Sequence, residues 1–383
     1  MWYFCSPRKI AFGEEALEAL REVHAKKALV VTDTTLLQLG TIQPVLDLLK
    51  EEDIPFVIFS AIQPEPAIPP SREGAKLAEQ EDVDLIIAVG GGSVIDGAKA
   101  IWVFYENPDL DIAEVFPEDP LVLRQKAGFV AIPTTSGTGS DANWAIVIKN
   151  PETKQKLSLA HRELIPDLAI VDPQFTKALP LSLTAATAFD ALTHAIEAFT
   201  VEWRNDFSDG LALQALKLIF EFLPQVMADK DNMVAREKLH NAATMAGLAF
   251  GNSQIGGVHA LAHSLGAVLS LPHAQVVAVV LPHMMRYCLS EPIIEQRYAE
   301  IAYTLQLVNT LDAKGAHTLI DKIEEFRKSF DLKTKLSDFG VTKSLLEEKM
   351  PLIIEFALND TGSLVNPKEL NKEIIRTLCY TMF

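Results

Sequence analysis

The chain has 383 residues, 49% hydrophobic and 22% charged, which is typical of a globular protein with two domains or one large one. Its 51 acidic and 34 basic residues give a net charge of −17, which disfavours binding to nucleic acid or to an anionic membrane. The three cysteines are scattered and form no CxxC motif or zinc-like pairing, as expected in a reducing compartment. No signal peptide and no apolar run of membrane-spanning length stands out, so we predict a cytoplasmic protein.

Short apolar, β-branched runs alternate with helical stretches through the first 180 residues. The runs cover residues 26–33, 54–60, 84–93 and 127–133. Because they are continuously apolar, we expect strands that are covered on both faces. Alternation of strands with helices predicts a parallel α/β sheet.

The pattern changes after Pro180, where apolar residues recur at the helical spacing of three and four. The β-branched run at 276–280 lies in this helical context, so we interpret it as part of a buried helix. The sequence therefore predicts an α/β domain at 1–178 and an all-helical domain at 179–383, with a ligand site in the cleft between them.

One strand runs into Gly90, Gly91, Gly92 and Ser93 and is followed directly by a helix. Glycines allow a ligand to approach the backbone, and a helix N-terminus offers free N–H groups to a pyrophosphate. The segment does not complete a GxGxxG motif, since Ile95 occupies the third glycine position. A tight turn with no ligand remains an alternative explanation.

Two further segments could contact a dinucleotide. Asp33 ends the strand at 26–33, where a carboxylate can accept hydrogen bonds from a ribose and repels a 2′-phosphate. A helix N-cap is the alternative role for Asp33. The segment 133–141 is rich in glycine and small hydroxyl residues, which suits either phosphate or nicotinamide contacts or a surface turn.

Six of the nine histidines lie between residues 194 and 283, in the helical half. Asp190 and His194 are four residues apart and so share a helix face, and His259 and His263 have the same spacing. A carboxylate with several imidazoles suits a divalent first-row metal.

Geometry limits how these histidines can converge. On one straight helix His259 and His273 would be about 21 Å apart, so the chain must turn between them, at Gly266 and Pro272. His273 would then project from the first turn of a new helix. Four ligands result: Asp190, His194, His259 and His273. His263 is either a fifth ligand or a proton carrier. The other histidines are interpreted as structural: His24, His161, His240, His283 and His317.

Several motifs appear in a fixed order along the chain. They are FxxPxxIxFG at 4–13, VTD at 31–33, GGGSVIDGAK at 90–99, IPTTSGTGSD at 132–141, DALTHAIEAF at 190–199, GGVHALAHSLG at 256–266, LPH at 271–273 and Asn366-Pro367. In this order they resemble the iron-containing (group III) alcohol dehydrogenase family over nearly the whole chain. The resemblance implies a dehydroquinate synthase-like architecture, with an N-terminal dinucleotide-binding domain, a C-terminal helical domain and the metal in the cleft between them.

The resemblance also assigns residues to roles. The family's metal ligands fall on Asp190, His194, His259 and His273, and its catalytic histidine falls on His263. Its cofactor contacts fall on Asp33, Gly91, Gly92, Ser93, Thr134, Thr135, Thr138 and Lys156. Members with aspartate at the Asp33 position tend to use NAD, whereas glycine there often accompanies NADP.

The implied activity is reversible NAD-linked oxidation of a primary alcohol or short diol to an aldehyde. Fe²⁺ is the favoured metal with Zn²⁺ as the alternative, and a homodimer is expected. Departures from the family pattern concern substrate range and cofactor contacts: Glu65-Pro66-Ala67, Phe189, Ser264 and Ala274.

Three other functions have to be weighed. Lyases of the dehydroquinate synthase type need basic residues for a phosphorylated substrate, and few Lys or Arg lie near the ligand segments. Glycerol dehydrogenases are closer, but the aspartate and histidine motifs favour the iron group. A metal-binding scaffold with a vestigial nucleotide fold is disfavoured by the retained Asp33, glycine motif and ligands.

Overall fold

Six short strands of the first part of the chain pair into one sheet in which every pairing is parallel. The computed structural model describes residues 3–117, 119–151 and 155–383, apart from the side chains of Glu114, Gln155 and Lys156. The sheet strands are β1 (Lys9–Phe12), β2 (Ala28–Val31), β3 (Phe56–Phe59), β4 (Leu85–Gly90), β5 (Gly128–Pro133) and β8 (Leu168–Val171), in the order β1-β8-β5-β4-β2-β3. Strands β6 (Ala145–Asn150) and β7 (Gln155–Ala160) form a separate antiparallel hairpin.

Four α-helices accompany these strands: α1 (Thr34–Gln38), α2 (Gln43–Glu51), α3 (Ile68–Gln80) and α4 (Gly92–Glu106). The helical stretch expected after residue 33 is thus two helices separated by a turn around Gly40. The antiparallel hairpin was not anticipated. The predicted fold class, an α/β region with a parallel sheet followed by an all-helical region, is confirmed.

The central strands are covered on both faces, as their continuous apolar runs predicted. In β2, Leu29 and Val31 belong to one buried cluster, whereas Ala28 and Val30 belong to another on the opposite face. All four are 0% exposed. Burial of each larger aliphatic side chain stabilises the sheet by about 1.5–3 kcal/mol.

Helix α4 fixes the polypeptide that follows β5. Asp96 accepts a hydrogen bond from the backbone N–H of Val147 at 2.9 Å. Lys99 is 0% exposed and donates to the carbonyls of Asn143 (2.8 Å) and Ala145 (3.2 Å). Burial lowers the pKa of Lys99 to about 8. Two ionisable side chains of one helix therefore hold the start of the hairpin.

The chain divides into two compact units, Met1–Leu179 and Pro180–Phe383. The second unit consists of α5 (Leu181–Thr200), α6 (Asp206–Ala228), α7 (Met233–Gly251), α8 (Gly257–Leu269), α9 (His273–Cys288), α10 (Pro292–Thr304), α11 (Ala313–Ser329), α12 (Lys343–Asn359), α13 (Thr361–Leu364) and α14 (Lys372–Thr381). Helix α5 is buried from Thr184 to Thr200 and packs against α6, α7 and α9. Residues 276–280 lie inside α9 and are 0% exposed, so their interpretation as a buried helix is confirmed.

The predicted break between α8 and α9 is present at Pro272, but the turn expected at Gly266 is wrong, since Gly266 lies inside α8. Ser270 ends α8 in the left-handed region, with φ 54°, and Pro272 is the N-cap of α9. His273 is the first residue of α9, as the Leu-Pro-His step suggested.

Among the described residues, α6 has the length and apolar composition of a membrane-spanning helix, with a mean hydropathy of 1.4 over its best window. No run of membrane-spanning length was predicted from the sequence; Gln214, Lys217 and Glu221 lie within this helix. One-third (33%) of that window is buried inside the structure, and core helices pass the same test, so this is weak evidence for a membrane span.

Candidate metal centre

One face of α5 carries three buried polar side chains. Asp190, His194 and Glu197 are spaced by four and three residues, which places them along one stripe of the helix. They are only 1%, 5% and 4% exposed. Six of the 20 residues of α5 are alanine, which favours a helix and lets other helices pack closely.

Helices α8 and α9 bring two imidazoles to the Asp190 carboxylate. His259 Nε2 lies 3.5 Å from Asp190 Oδ1, and His273 Nε2 lies 3.6 Å from the same oxygen. One ligand atom from each of the three residues fits within a span of 4.8 Å. The structure thus brings together three of the four residues predicted to bind the metal.

His194 lies against this group without belonging to the three-atom set. Its ring stacks on the ring of His259, with 4.3 Å between centroids and 15° between planes. The His194 ring also stacks on the ring of Phe250, with 4.4 Å between centroids. His194 is therefore adjacent to the other three residues, in a face-to-face arrangement with His259.

His263 lies beside the group, one helical turn from His259. Its ring stacks on that of His273, with 5.1 Å between centroids. Its Nδ1 is 2.9 Å from Oδ2 of Asp360, whose side chain is 9% exposed and also accepts a hydrogen bond from the Gly362 N–H. Burial raises the pKa of Asp360, but the charge of His263 and its hydrogen bond outweigh this and lower that pKa overall.

The buried charges of the group stabilise each other. Burial raises the pKa of Asp190, but the charges of His194, His273 and His259 outweigh this effect and bring that pKa well below its usual range. Burial lowers the pKa of His259, yet the charge of Glu197, the hydrogen bond to Glu197 and the charge of Asp190 raise it to about 10. Each of these two buried side chains thus favours the charged form of the other.

The residues fit a divalent cation. Asp190 Oδ1 and His259 Nε2 are buried and have no hydrogen-bond partner among the described residues. Leaving such atoms unsatisfied costs about 1–3 kcal/mol each. Ligand atoms at metal-bond lengths of about 2.1 Å in tetrahedral geometry lie about 3.4 Å apart. The observed 3.5 and 3.6 Å separations are close to that value, and the mixed nitrogen and oxygen donors suit first-row metals.

The predicted dinucleotide contacts of the glycine motif also come together. Gly91 is the N-cap of α4, and a β-carbon on Gly92 would fall 2.5 Å from Cγ2 of Thr138. Glycine is therefore required where this loop packs on the start of the helix. Thr135 lies near Gly91, and the Thr134 N–H donates to the Gly90 carbonyl at 3.0 Å.

Asp33 follows β2, the parallel neighbour of β4, so it lies at the same sheet edge as the glycine motif. Its Oδ1 accepts a hydrogen bond from the Leu36 N–H at 2.9 Å, so the N-cap role is confirmed. That role occupies one of its two carboxylate oxygens. The hydroxyl of Ser93 donates to the carbonyl of Pro64.

Lys156 was also predicted to contact the cofactor, but its side chain lies outside the described residues. Its backbone pairs with that of Lys149 across the β6–β7 hairpin. Lys149 in turn forms an ion pair with Glu65 at 3.2 Å. The departure from the family pattern at Glu65 thus has a structural partner in this chain.

Sequence reasoning did not single out three residues at the candidate metal centre. Glu197 could have been found, since it continues the stripe formed by Asp190 and His194. Asp360 contacts a histidine 97 positions away and has no comparable local signal. Asn366 accepts a hydrogen bond from the Gly257 N–H, 109 positions away, and was noted only as part of a motif.

Comparison with known proteins agrees with the motifs. Residues 7–173 match iron-containing alcohol dehydrogenase, and residues 184–383 match the C-terminal region of the Fe-containing alcohol dehydrogenase family. The NADPH-dependent butanol dehydrogenase of Clostridium saccharobutylicum is 37% identical, over 99% of this chain and 97% of that protein. Aldehyde-alcohol dehydrogenase 2 of Entamoeba histolytica is 35% identical over 96% of this chain, which spans 45% of that protein.

A crystal structure of a 1,3-propanediol oxidoreductase superposes with a TM-score of 0.93 and 34% identity, covering 100% of both chains. The family predicted from the sequence motifs is therefore confirmed. The chain belongs to the iron-containing alcohol dehydrogenase family and is an oxidoreductase of alcohols or aldehydes that uses a metal and a nicotinamide dinucleotide.

Proposed function

We propose that this chain catalyses the reversible oxidation of a primary alcohol or short diol to an aldehyde, with NAD as hydride acceptor. The observation that carries the proposal is the pair of imidazole nitrogens 3.5 and 3.6 Å from one buried carboxylate oxygen. The relatives named for butanol and 1,3-propanediol support this substrate class.

The ligands in this proposal are Asp190, His259 and His273, with His194 as the fourth. When bound, the metal supplies Lewis-acid polarisation of the alcohol oxygen, and the nicotinamide supplies the hydride acceptor. Three nitrogens and one oxygen do not by themselves select a metal, since availability decides much of the choice. The family favours Fe²⁺, and Zn²⁺ is the alternative.

His263 carries the hydroxyl proton of the alcohol in this proposal. Because Nδ1 faces Asp360, Nε2 is the ring atom left to take that proton. The side chain of His263 is 11% exposed, which gives the proton a route to solvent. Asp360 holds the ring in the required orientation.

In this proposal, residues 1–178 bind the dinucleotide and residues 179–383 bind the metal. The dinucleotide lies at the carboxyl ends of β2 and β4. The N-terminus of α4, with Gly91, Gly92 and Ser93, receives the pyrophosphate. Further contacts come from Asp33, Thr134, Thr135, Thr138 and Lys156. The Clostridium relative is named as NADPH-dependent, so family membership does not decide the cofactor. The carboxylate of Asp33 favours NAD because it repels a 2′-phosphate.

The proposal includes a homodimer in the cytoplasm. Strand β1 lies at the edge of the parallel sheet, and Phe12 at its end is 68% exposed, which suits pairing with a second copy. No disulfide joins any of the three cysteines, all of which lie among the described residues, and this fits a reducing compartment.

Removal of the metal tests the central part of the proposal. We expect metal-stripped protein to lose alcohol-dependent NAD reduction by about 100-fold or more, because polarisation of the alcohol oxygen is worth several kcal/mol. Fe²⁺ or Zn²⁺ should restore it with 1-butanol or 1,3-propanediol, followed by absorbance of the reduced nicotinamide. Dinucleotide binding by the stripped protein is the control for folding. Full turnover without metal would contradict the proposal.

Replacement of His263 tests the proton route. We expect His263→Ala to lower kcat by about 100-fold and to change its pH profile, since general acid–base catalysis contributes this much or more. Asp360→Asn should lower kcat less, because the ring remains but is held less well. Metal affinity should persist in both variants, and His317→Ala, an exposed histidine, is the matched control. An unchanged rate in His263→Ala would rule out this role.

Replacement of Asp33 tests the choice of cofactor. We expect Asp33→Gly to raise the kcat/KM ratio of NADP to NAD at least about tenfold, since a repulsive carboxylate is removed. Glycine is chosen because it costs only a few tenths of a kcal/mol as an N-cap. Asp33→Asn keeps the cap and removes the charge, so it should shift the ratio in the same direction. If neither variant changes the ratio, Asp33 does not select NAD.

A further inference from the structure

We propose that Glu197 is a positioning residue that presents His259 to the metal in the one ring orientation and tautomer that can bind it. This inference rests on the proposed metal site but not on the identity of the alcohol or the dinucleotide. It concerns a side chain that touches a ligand and not the ion.

The side chains of Glu197 and His259 are in direct contact. Oε2 of Glu197 lies 2.5 Å from Nδ1 of His259, and both side chains are at least nine-tenths buried, at 5% and 1% exposed. A carboxylate only accepts hydrogen bonds, so Nδ1 is the atom that carries a proton. The opposite nitrogen, Nε2, then faces Oδ1 of Asp190 at 3.5 Å. Ligating imidazoles are commonly fixed by such a partner on the other nitrogen.

The N-terminus of α8 compensates the charge of Glu197. Its other oxygen, Oε1, accepts a hydrogen bond of 2.7 Å from the backbone N–H of Val258 in the first turn of α8. The positive end of the helix dipole lies at the same place and stabilises an anion there. One carboxylate thus satisfies a backbone N–H of α8 and an imidazole N–H one residue later.

The start of α8 packs closely against the Glu197 carboxylate. A β-carbon on Gly256 would lie 2.9 Å from Oε1 of Glu197 and 3.2 Å from Cγ1 of Val201, too close for both to stay in place. The next N–H, of Gly257, is bound by Oδ1 of Asn366 at 3.0 Å. Glu197 therefore contributes to the position of α8 relative to α5, and with it to the distance between His259 and Asp190.

The two histidines of α8 use separate carboxylates. His259 pairs with Glu197 on α5, whereas His263 pairs with Asp360, which precedes α13. Loss of the Glu197 carboxylate should therefore weaken metal binding, whereas loss of Asp360 should affect proton transfer. A general loss of packing would not produce these two different effects, so the comparison distinguishes it from a positioning role of Glu197.

The test is the affinity of the metal-stripped, full-length protein for Zn²⁺, measured by competition with a chromophoric chelator. In Glu197→Gln the amide places an NH₂ donor against one of two N–H donors, from Val258 or His259. We expect the dissociation constant to rise about 10–100-fold, the usual range for loss of such a partner. At saturating Co²⁺, the visible absorption of the variant should also differ from that of the wild type, because His259 no longer binds in the same orientation.

Two variants serve as controls. Thr200→Val removes a buried hydroxyl one turn further along α5 that donates within its own helix to the Ile196 carbonyl, so it should leave the affinity unchanged. Glu197→Asp keeps the charge on a shorter side chain and should recover part of the affinity. Melting temperatures of the metal-free variants report any general loss of stability.

The outcomes are distinguishable. A Glu197→Gln affinity within about twofold of the wild type would overturn the inference, as would equal losses in Glu197→Gln and Thr200→Val. Failure of the wild type to bind Zn²⁺ or Co²⁺ would overturn the proposed metal site together with this inference. Failure to oxidise alcohols, with the affinity pattern intact, would count against the proposed substrate class alone.

Discussion

The burial of the Asp190 carboxylate is the constraint on which the helical unit depends. A charged carboxylate away from water is costly unless opposite charges and hydrogen-bond donors surround it. Here His259 and His273 approach one oxygen, and the charge of His194 helps to keep the pKa low. These imidazoles come from three helices, so α5, α8 and α9 must pack closely around one point. The alanine-rich composition of α5 makes that packing possible.

Each histidine of α8 is held by a carboxylate on its Nδ1, and the two carboxylates come from different parts of the helical unit. His259 is tied to the helix that also carries Asp190. His263 is tied to the segment between α12 and α13. Because His259 and His263 lie on the same helix, a movement of α8 would displace both side chains together. With separate partners, the roles that we propose for His259 in metal binding and for His263 in proton transfer can be altered independently.

Much of the fold could be predicted because its signals are local. The helical spacing of apolar residues predicted helices after Pro180, and the Leu-Pro-His step placed His273 at the start of α9. Continuous apolar runs predicted strands covered on both faces, and the clusters on either side of β2 agree. The β6–β7 hairpin was missed, since its contacts with Asp96 and Lys99 on α4 join residues that are distant in sequence.

At the candidate site, long-range contacts of carboxylates were hard to predict, because one oxygen can make a local contact while the other contacts a residue distant in sequence. One oxygen of Asp360 accepts the Gly362 N–H at the start of α13, a local contact that fully accounts for aspartate at that position. The other oxygen contacts His263, and no spacing rule connects residues 97 apart. Asp33 shows the same ambiguity, because its N-cap bond to Leu36 explains the residue without any ligand. Glu197 differs, since no turn or cap requires a carboxylate at this buried position in the last turn of α5. An acid within an apolar helix and without a local partner is thus the more informative sequence signal, because a buried carboxylate requires a partner elsewhere in the fold.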